Sequence, residues 1–224
     1  MEKINIAIDG PAGAGKSTIA KLAAEKLKFI YVDTGAMYRA MALYCIRNKV
    51  SADDEESVAR ICKEADVTIE YVDGEQHVLL NGENVNGYIR TEEVSQMTSA
   101  VSVYKEVREK LLSLQRNIAA NNNVIMDGRD IGSNVLPEAE LKIYLTASVQ
   151  TRAKRRYLEQ IEKGFDVKIE EIEEEIEKRD YRDMHRECAP LKIAEGAEIL
   201  DTSDMSIDEV VQTILCMVEK IRSN

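Results

Sequence analysis

Short apolar runs that stop at Asp-Gly alternate along this chain with stretches whose apolar positions recur every three or four residues. Ile4 to Ile8 is almost wholly apolar and ends at Asp9-Gly10. Phe29 to Val32 ends at Asp33-Thr34-Gly35, and Val124 to Met126 ends at Asp127-Gly128. Leu141 to Leu145 and the brief Ile199-Leu200, ended by Asp201, repeat the pattern. Continuous apolar runs of this length predict strands buried on both faces. Between them, Ile19, Ala20, Ala23, Ala24 and Leu27 share one face of a helix over Lys16 to Leu27. Further helices are predicted over Met37 to Arg47 and Ile207 to Ile221. Strands alternating with helices predict an α/β fold, a five-stranded parallel sheet with helices on both faces.

The connection from 33 to 123 is far longer than the dozen or so residues a crossover needs, so it must carry structure of its own. Val67 to Val72 is followed by Asp73-Gly74, and His77 to Leu80 by Asn81-Gly82. Two such turn pairs between strand-forming residues predict a small antiparallel β insert at 66–90. The chain reads as one domain over 1–224. Its core comprises 1–32, 120–150 and 188–224, interrupted by 33–119 with the insert and by a helical segment at 151–187.

Composition narrows the classes. Hydrophobic residues make up 44% of the 224 residues, enough for an ordinary core. The formal charge of −11, from 30 basic and 41 acidic side chains, argues against a cationic nucleic-acid-binding face. The Glu-rich run at 170–177 reads as a solvated helix face. Cys45, Cys62, Cys188 and Cys216 form no Cys-x-x-Cys pair, and only His77 and His185 could join them. Free thiols in a reducing cytoplasm are expected, not a zinc site or a disulfide framework. No segment approaches membrane-spanning length. No long heptad repeat points to an obligate oligomer, so a monomer is expected.

Gly10-Pro11-Ala12-Gly13-Ala14-Gly15-Lys16-Ser17 fits G-x-x-x-x-G-K-[ST] in full, directly after a buried strand and at the opening of a helix. Its glycines let backbone N–H groups converge on phosphates, and the helix N-terminus at Lys16, Ser17 and Thr18 adds positive charge. Lys16 would serve the β- and γ-phosphates and the Ser17 hydroxyl would ligate Mg²⁺. This loop implies a nucleoside triphosphate but leaves motor, GTPase and kinase readings open.

The arginines point to a second phosphate. Transfer between phosphates needs concentrated positive charge, and the planar guanidinium fork binds phosphate oxygens in pairs. Arg129, in Asp127-Gly128-Arg129-Asp130, lies at the carboxyl end of the third strand, where ligands bind in open parallel sheets. Asp127 could hold Mg²⁺ through water. Asp33 could orient the attacking oxygen or a metal-bound water, or simply cap a helix. Further on, the stripe Ile169, Ile172, Ile176 continues at the same steps as Arg179, Asp183 and Arg186, so a core face turns into a charged one. It lines a polar cleft, or it closes on itself as an ion network. Arg152, Arg155 and Arg156 share a helix face and could close over the transferring phosphoryl group, or be merely solvated.

These motifs resemble the bacterial-type cytidylate kinase family of nucleoside monophosphate kinases. The likeness rests on Ile8 to Ser17, Asp33-Thr-Gly-Ala-Met-Tyr-Arg39, Ile89-Arg-Thr91, Val107-Arg-Glu109, Asp127 to Asp130, and Arg179 to Arg186 before Ala189-Pro190. The resemblance implies ATP and Mg²⁺ as cofactors and phosphorylation of CMP or dCMP. It implies that Thr34 (Ser in the common motif), Tyr38 and Arg39 line the monophosphate site, with Arg39 and Arg129 at its phosphate and Asp130 among the residues around CMP. Ser99, Arg108 and Arg186 would read cytosine, and Arg179 and Asp183 the sugar hydroxyls. Residues 33–119 would form the monophosphate-binding region, and Arg152, Arg155 and Arg156 would belong to a short lid. A relative of shikimate kinase would lack the Arg179–Arg186 motif. A nucleoside kinase would have no use for so many acceptor-side arginines. A non-catalytic ATP-binding module would not be expected to keep Lys16, Ser17, Asp127 and Arg129 together.

Overall fold

The computed structural model describes residues 3–162 and 164–223. Residues 1, 2, 163 and 224, which fall in the expected core and lid segments, lie outside the described residues. In chain order the elements are β1 (Asn5–Asp9), α1 (Lys16–Leu27), β2 (Ile30–Asp33), α2 (Thr34–Arg47), α3 (Glu55–Glu64), β3 (Val67–Val72), β4 (Glu75–Leu80), β5 (Glu83–Asn84), α4 (Glu92–Val101), α5 (Lys105–Asn121), β6 (Val124–Gly128), β7 (Leu141–Thr146), α6 (Val149–Glu162), α7 (Ile169–His185), β8 (Glu198–Asp201) and α8 (Ile207–Arg222). Five strands form one parallel sheet in the order β2-β6-β1-β7-β8, and β3-β4-β5 form a separate three-stranded sheet.

The chain divides into two compact units, Met1–Phe29 with Asn123–Asn224, and Ile30–Asn122. In the first, β1 lies between β6 and β7, and its Ile6, Ala7 and Ile8 are completely buried. That accounts for an apolar run without alternation. The register sets Ile8 beside Asp127 and Asp9 beside Gly128 and Tyr144, while Thr146 pairs with Asp201. The carboxyl ends of four strands therefore fall at one edge, each close to a polar residue.

Helices α6 and α7 pack on each other through Ala153, Ile172 and Ile176, flanked by Val149, Tyr157, Val167 and Ile169. The predicted apolar stripe is thus a small core of its own. Of its six neighbouring glutamates, five are exposed and Glu173 is half-buried.

In the unit Ile30–Asn122, α2 is the most buried helix, with Met37, Ala40, Met41 and Ala42 inaccessible to water. It starts three residues before the predicted Met37, because the Asp33 side chain accepts from Ala36 N (2.9 Å) and caps it. A cap is a local bond that apolar periodicity does not register. The insert is an antiparallel meander as expected. Both turn pairs are left-handed, with φ 52° and 80° at Asp73-Gly74 and 51° and 81° at Asn81-Gly82, the conformation that hairpin turns of this kind require. Gln76 on β4 brackets the end of β2, accepting from Asp33 N (2.9 Å) and donating to Asp33 O (3.1 Å). The insert therefore braces a strand end that carries a candidate site residue.

Replacing Ile176 by Ala should lower the unfolding free energy by about 2–5 kcal/mol, and by Val about 0.5–1.5 kcal/mol. Urea unfolding checks this, and a cost for Ala no larger than that for Val would show that α6 and α7 do not share a packed core.

Candidate active site

The phosphate loop leaves β1 at Gly10, whose φ is 148°. A Cβ there would sit 2.0 Å from the Leu145 carbonyl oxygen, so only glycine fits. The loop ends at Gly15, the N-cap of α1, at φ 85°. No side chain caps α1 and its first turn holds no acidic residue, so the opening N–H groups face outward as an anion site. Lys16 is buried and donates from Nζ to Pro11 O at 2.7 Å. Burial, and then the nearby Arg129, push its pKa well below the lysine range, while Asp127 and Asp9 oppose the shift.

The Ser17 hydroxyl donates to Asp127 at 2.8 Å. A hydroxyl and a carboxylate in contact beside a phosphate-binding turn fit a magnesium site, since Mg²⁺ takes few protein oxygens and completes its shell with phosphates and water. Ser17 and Asp127 are the residues that would hold it.

The Asp127–Asp130 turn interlocks with α7. Arg129 Nε donates to Asp183 at 2.8 Å, and Arg186 donates to Asp130 at 3.3 Å and to Ala189 O at 2.6 Å. Burial opposes the charge of Asp183. Arg129, followed by Arg179 and Arg186, outweighs it and holds the carboxyl below its usual range. Of the expected stripe residues, Asp183 on α7 thus meets Arg129, and Arg186, the C-cap of α7, meets Asp130.

The three arginines of α6 part company. Arg152 is buried and bonded to Ala147 O, Ala12 O and Asp180. Arg155 donates to both oxygens of Thr202 (3.2 and 2.6 Å), and Arg156 pairs with Glu175 at 3.5 Å.

In the unit Ile30–Asn122, Asp33 serves both as the α2 cap and as the partner of Arg90 at 3.1 Å. The guanidinium of Arg108 lies 5.4 Å from the Tyr38 ring centroid and donates to Ser102 O. Thr34 is buried, while Arg39 and Ser99 are half-buried.

Two functional candidates were not singled out from sequence. Asp180 lies four residues after Ile176 on the same stripe, and that step could have found it. Asp9 accepts from Ile131 N (2.8 Å) and Gly132 N (2.7 Å), anchoring the turn that carries Arg129. Its signal was an aspartate directly before the phosphate loop.

The family model described as cytidylate kinase matches residues 6–220. The chain belongs to the cytidylate kinase family. It is 52% identical over 224 residues to a cytidylate kinase of Caldicellulosiruptor bescii, covering 100% of this chain and 99% of that one. It is 49% identical over 221 residues to one of Lactobacillus johnsonii, covering 99% and 96%. A solved structure, an uncharacterized protein from Eubacterium ventriosum, shares the fold with a TM-score of 0.53 at 14% identity, covering 100% of both chains. The match to the cytidylate kinase family runs from β1 through α7 and into α8.

Burial raises the pKa of Asp9 from 3.8 to about 6, against the pull of its two backbone N–H bonds. The folded protein therefore holds this proton more tightly than the unfolded chain does. The stabilisation from Asp9 should be full below pH 3.8 and lost as the pH rises through about 6. Carboxyl-carbon NMR should show Asp9 titrating near pH 6. A midpoint in the ordinary aspartate range would refute this.

Proposed function

We propose that this protein transfers the γ-phosphoryl group of ATP to CMP, and to dCMP, releasing ADP and CDP or dCDP. The observation that carries this reading is a complete phosphate loop, with Ser17 against Asp127 and the Arg129–Asp183 pair beside it, in a chain matched over 6–220 by the cytidylate kinase family. In the transfer, the bond from the γ-phosphorus to the β–γ bridging oxygen breaks, and a bond to a phosphate oxygen of CMP forms. The loop amides and Lys16 take the charge that develops on the β- and γ-oxygens. Magnesium, when bound at Ser17 and Asp127, neutralises phosphate charge further.

For the acceptor, we assign Thr34, Tyr38, Arg39, Ser99, Arg108, Arg129, Asp130, Arg179, Asp183 and Arg186. Arg39 and Arg129 would hold the phosphate, Arg179 and Asp183 the sugar, and Ser99, Arg108 and Arg186 the base. Asp33 would orient the attacking group. Arg155 and Arg156, with Arg152, would form the short lid. We read the protein as a monomer of pyrimidine nucleotide metabolism in the cytoplasm. No helix among the described residues is long and apolar enough to cross a membrane.

A coupled ADP-release assay across CMP, dCMP, UMP, AMP, GMP and shikimate tests the reading. CMP and dCMP should turn over far faster than AMP or GMP, and equal turnover of AMP would refute the cytosine assignment. Lys16→Ala should lower kcat/KM by about 100- to 1000-fold. Asp183→Ala should chiefly raise the KM for CMP, and an unchanged KM would remove Asp183 from the acceptor site.

A further inference from the structure

Gly10 to Gly15 carries no polar side chain. The loop cannot fix its own turn through side chains, so its backbone polar groups must be held from outside. Three such holds are visible. Lys16 takes Pro11 O, Arg152 takes Ala12 O at 2.8 Å, and Asp180 accepts from Ala12 N at 3.2 Å. Ala12 is thus gripped through both its N–H and its carbonyl by two charged side chains. Those two are themselves paired at 2.7 Å.

The grip is built rather than incidental. Arg152 and Asp180 are 3% and 8% exposed, and Arg152 Nε is tied to Ala147 O at 2.9 Å. The Cβ of Arg152 lies 3.3 Å from where a Cβ on Gly13 would stand, so its stem backs the loop's next residue as well. The α6–α7 core of Ala153, Ile172 and Ile176 fixes the helices that deliver the two side chains. An ion pair of this kind is a poor choice for stability alone, since an apolar pair of equal volume often does as well. It is a good choice where a loop must be held in one geometry before a ligand arrives.

We propose that Asp180 is a positioning residue for the donor nucleotide, acting with Arg152 to clamp Ala12 and so fix the turn whose N–H groups receive the phosphates. This rests on the reading of the loop as an ATP site. It gives Arg152 a task on the loop backbone, distinct from contact with the transferring phosphoryl group.

The test measures ADP binding by calorimetry without CMP, alongside KM for ATP and CMP, kcat and thermal unfolding. The proteins are the wild type, Asp180→Ala, Asp180→Asn and Arg152→Lys. Asp180→Ala should weaken ADP binding and raise the KM for ATP by about tenfold, the loss expected for a charge-assisted bond, and leave the KM for CMP within about twofold. Asp180→Asn should fall between, because its amide oxygen still accepts from Ala12 N–H but no longer holds the Arg152 charge. A purely structural role would lower the unfolding temperature and leave the ATP and ADP constants of the folded fraction unchanged, which would overturn the proposal. If Asp180→Ala does not fold, Asp180→Asn and Arg152→Lys decide. Weaker ADP binding in both upholds the clamp. Unchanged ADP binding, with or without a fall in kcat, overturns it. Failure of the wild type to bind ADP would overturn the donor reading itself, and the clamp with it, a result distinct from a variant that matches a binding-competent wild type.

Discussion

Phosphates repel one another, so bringing two together requires a dense group of cations. Those cations must also be kept in place when no phosphate is present. Near the phosphate loop of this protein, aspartates keep three arginines in place. Arg129 rests on Asp183, Arg186 on Asp130 and Arg152 on Asp180, all substantially buried. Lys16, the cation most deeply committed to the loop, has Asp127 and Asp9 near it and still has its charged form disfavoured by burial and by Arg129. A triphosphate entering beside Lys16 would relieve that imbalance, since its oxygens supply the missing negative charge. The site is thus poised for anions although the chain as a whole is strongly acidic.

The sheet accounts for where this group sits. Parallel pairing of β1 with β6 in the register Ile8 to Asp127 brings the phosphate loop beside the Asp127–Asp130 turn. Asp9 then ties the two together through Ile131 and Gly132. The anchor is a carboxylate buried enough to titrate near 6. The protein therefore accepts a local cost at Asp9 for a fixed relation between donor loop and Arg129.

Much of this was readable from sequence because it is repetitive or motif-borne. Apolar runs ending in Asp-Gly located the parallel strands, and paired Asp-Gly and Asn-Gly turns located the meander. The glycine-lysine motif located the loop between β1 and α1. What sequence did not yield depends on partners far apart in the chain. Arg152 and Asp180 meet Ala12 across separations of 140 and 168 residues, and neither spacing nor helical phase encodes such a meeting. The α6 arginines show the same limit. Helical phase placed Arg152, Arg155 and Arg156 on one face, but differing depth sends one to the phosphate loop, one to Thr202 and one to Glu175. The early start of α2 was hidden for the opposite reason, being set by a single short-range cap at Asp33.

Helix α7 joins these threads. Along one face it presents Ile176 to the α6 core, Asp180 to Ala12 and Asp183 to Arg129, and Arg186, its C-cap, goes to Asp130. Steps of three and four residues keep all of these on one side. A rigid helix cannot shift its grip on Arg129 without also shifting its grip on Ala12. A single helix, whose inward face changes from isoleucine to aspartate and arginine within three turns, therefore holds both the phosphate loop and the turn that carries Arg129.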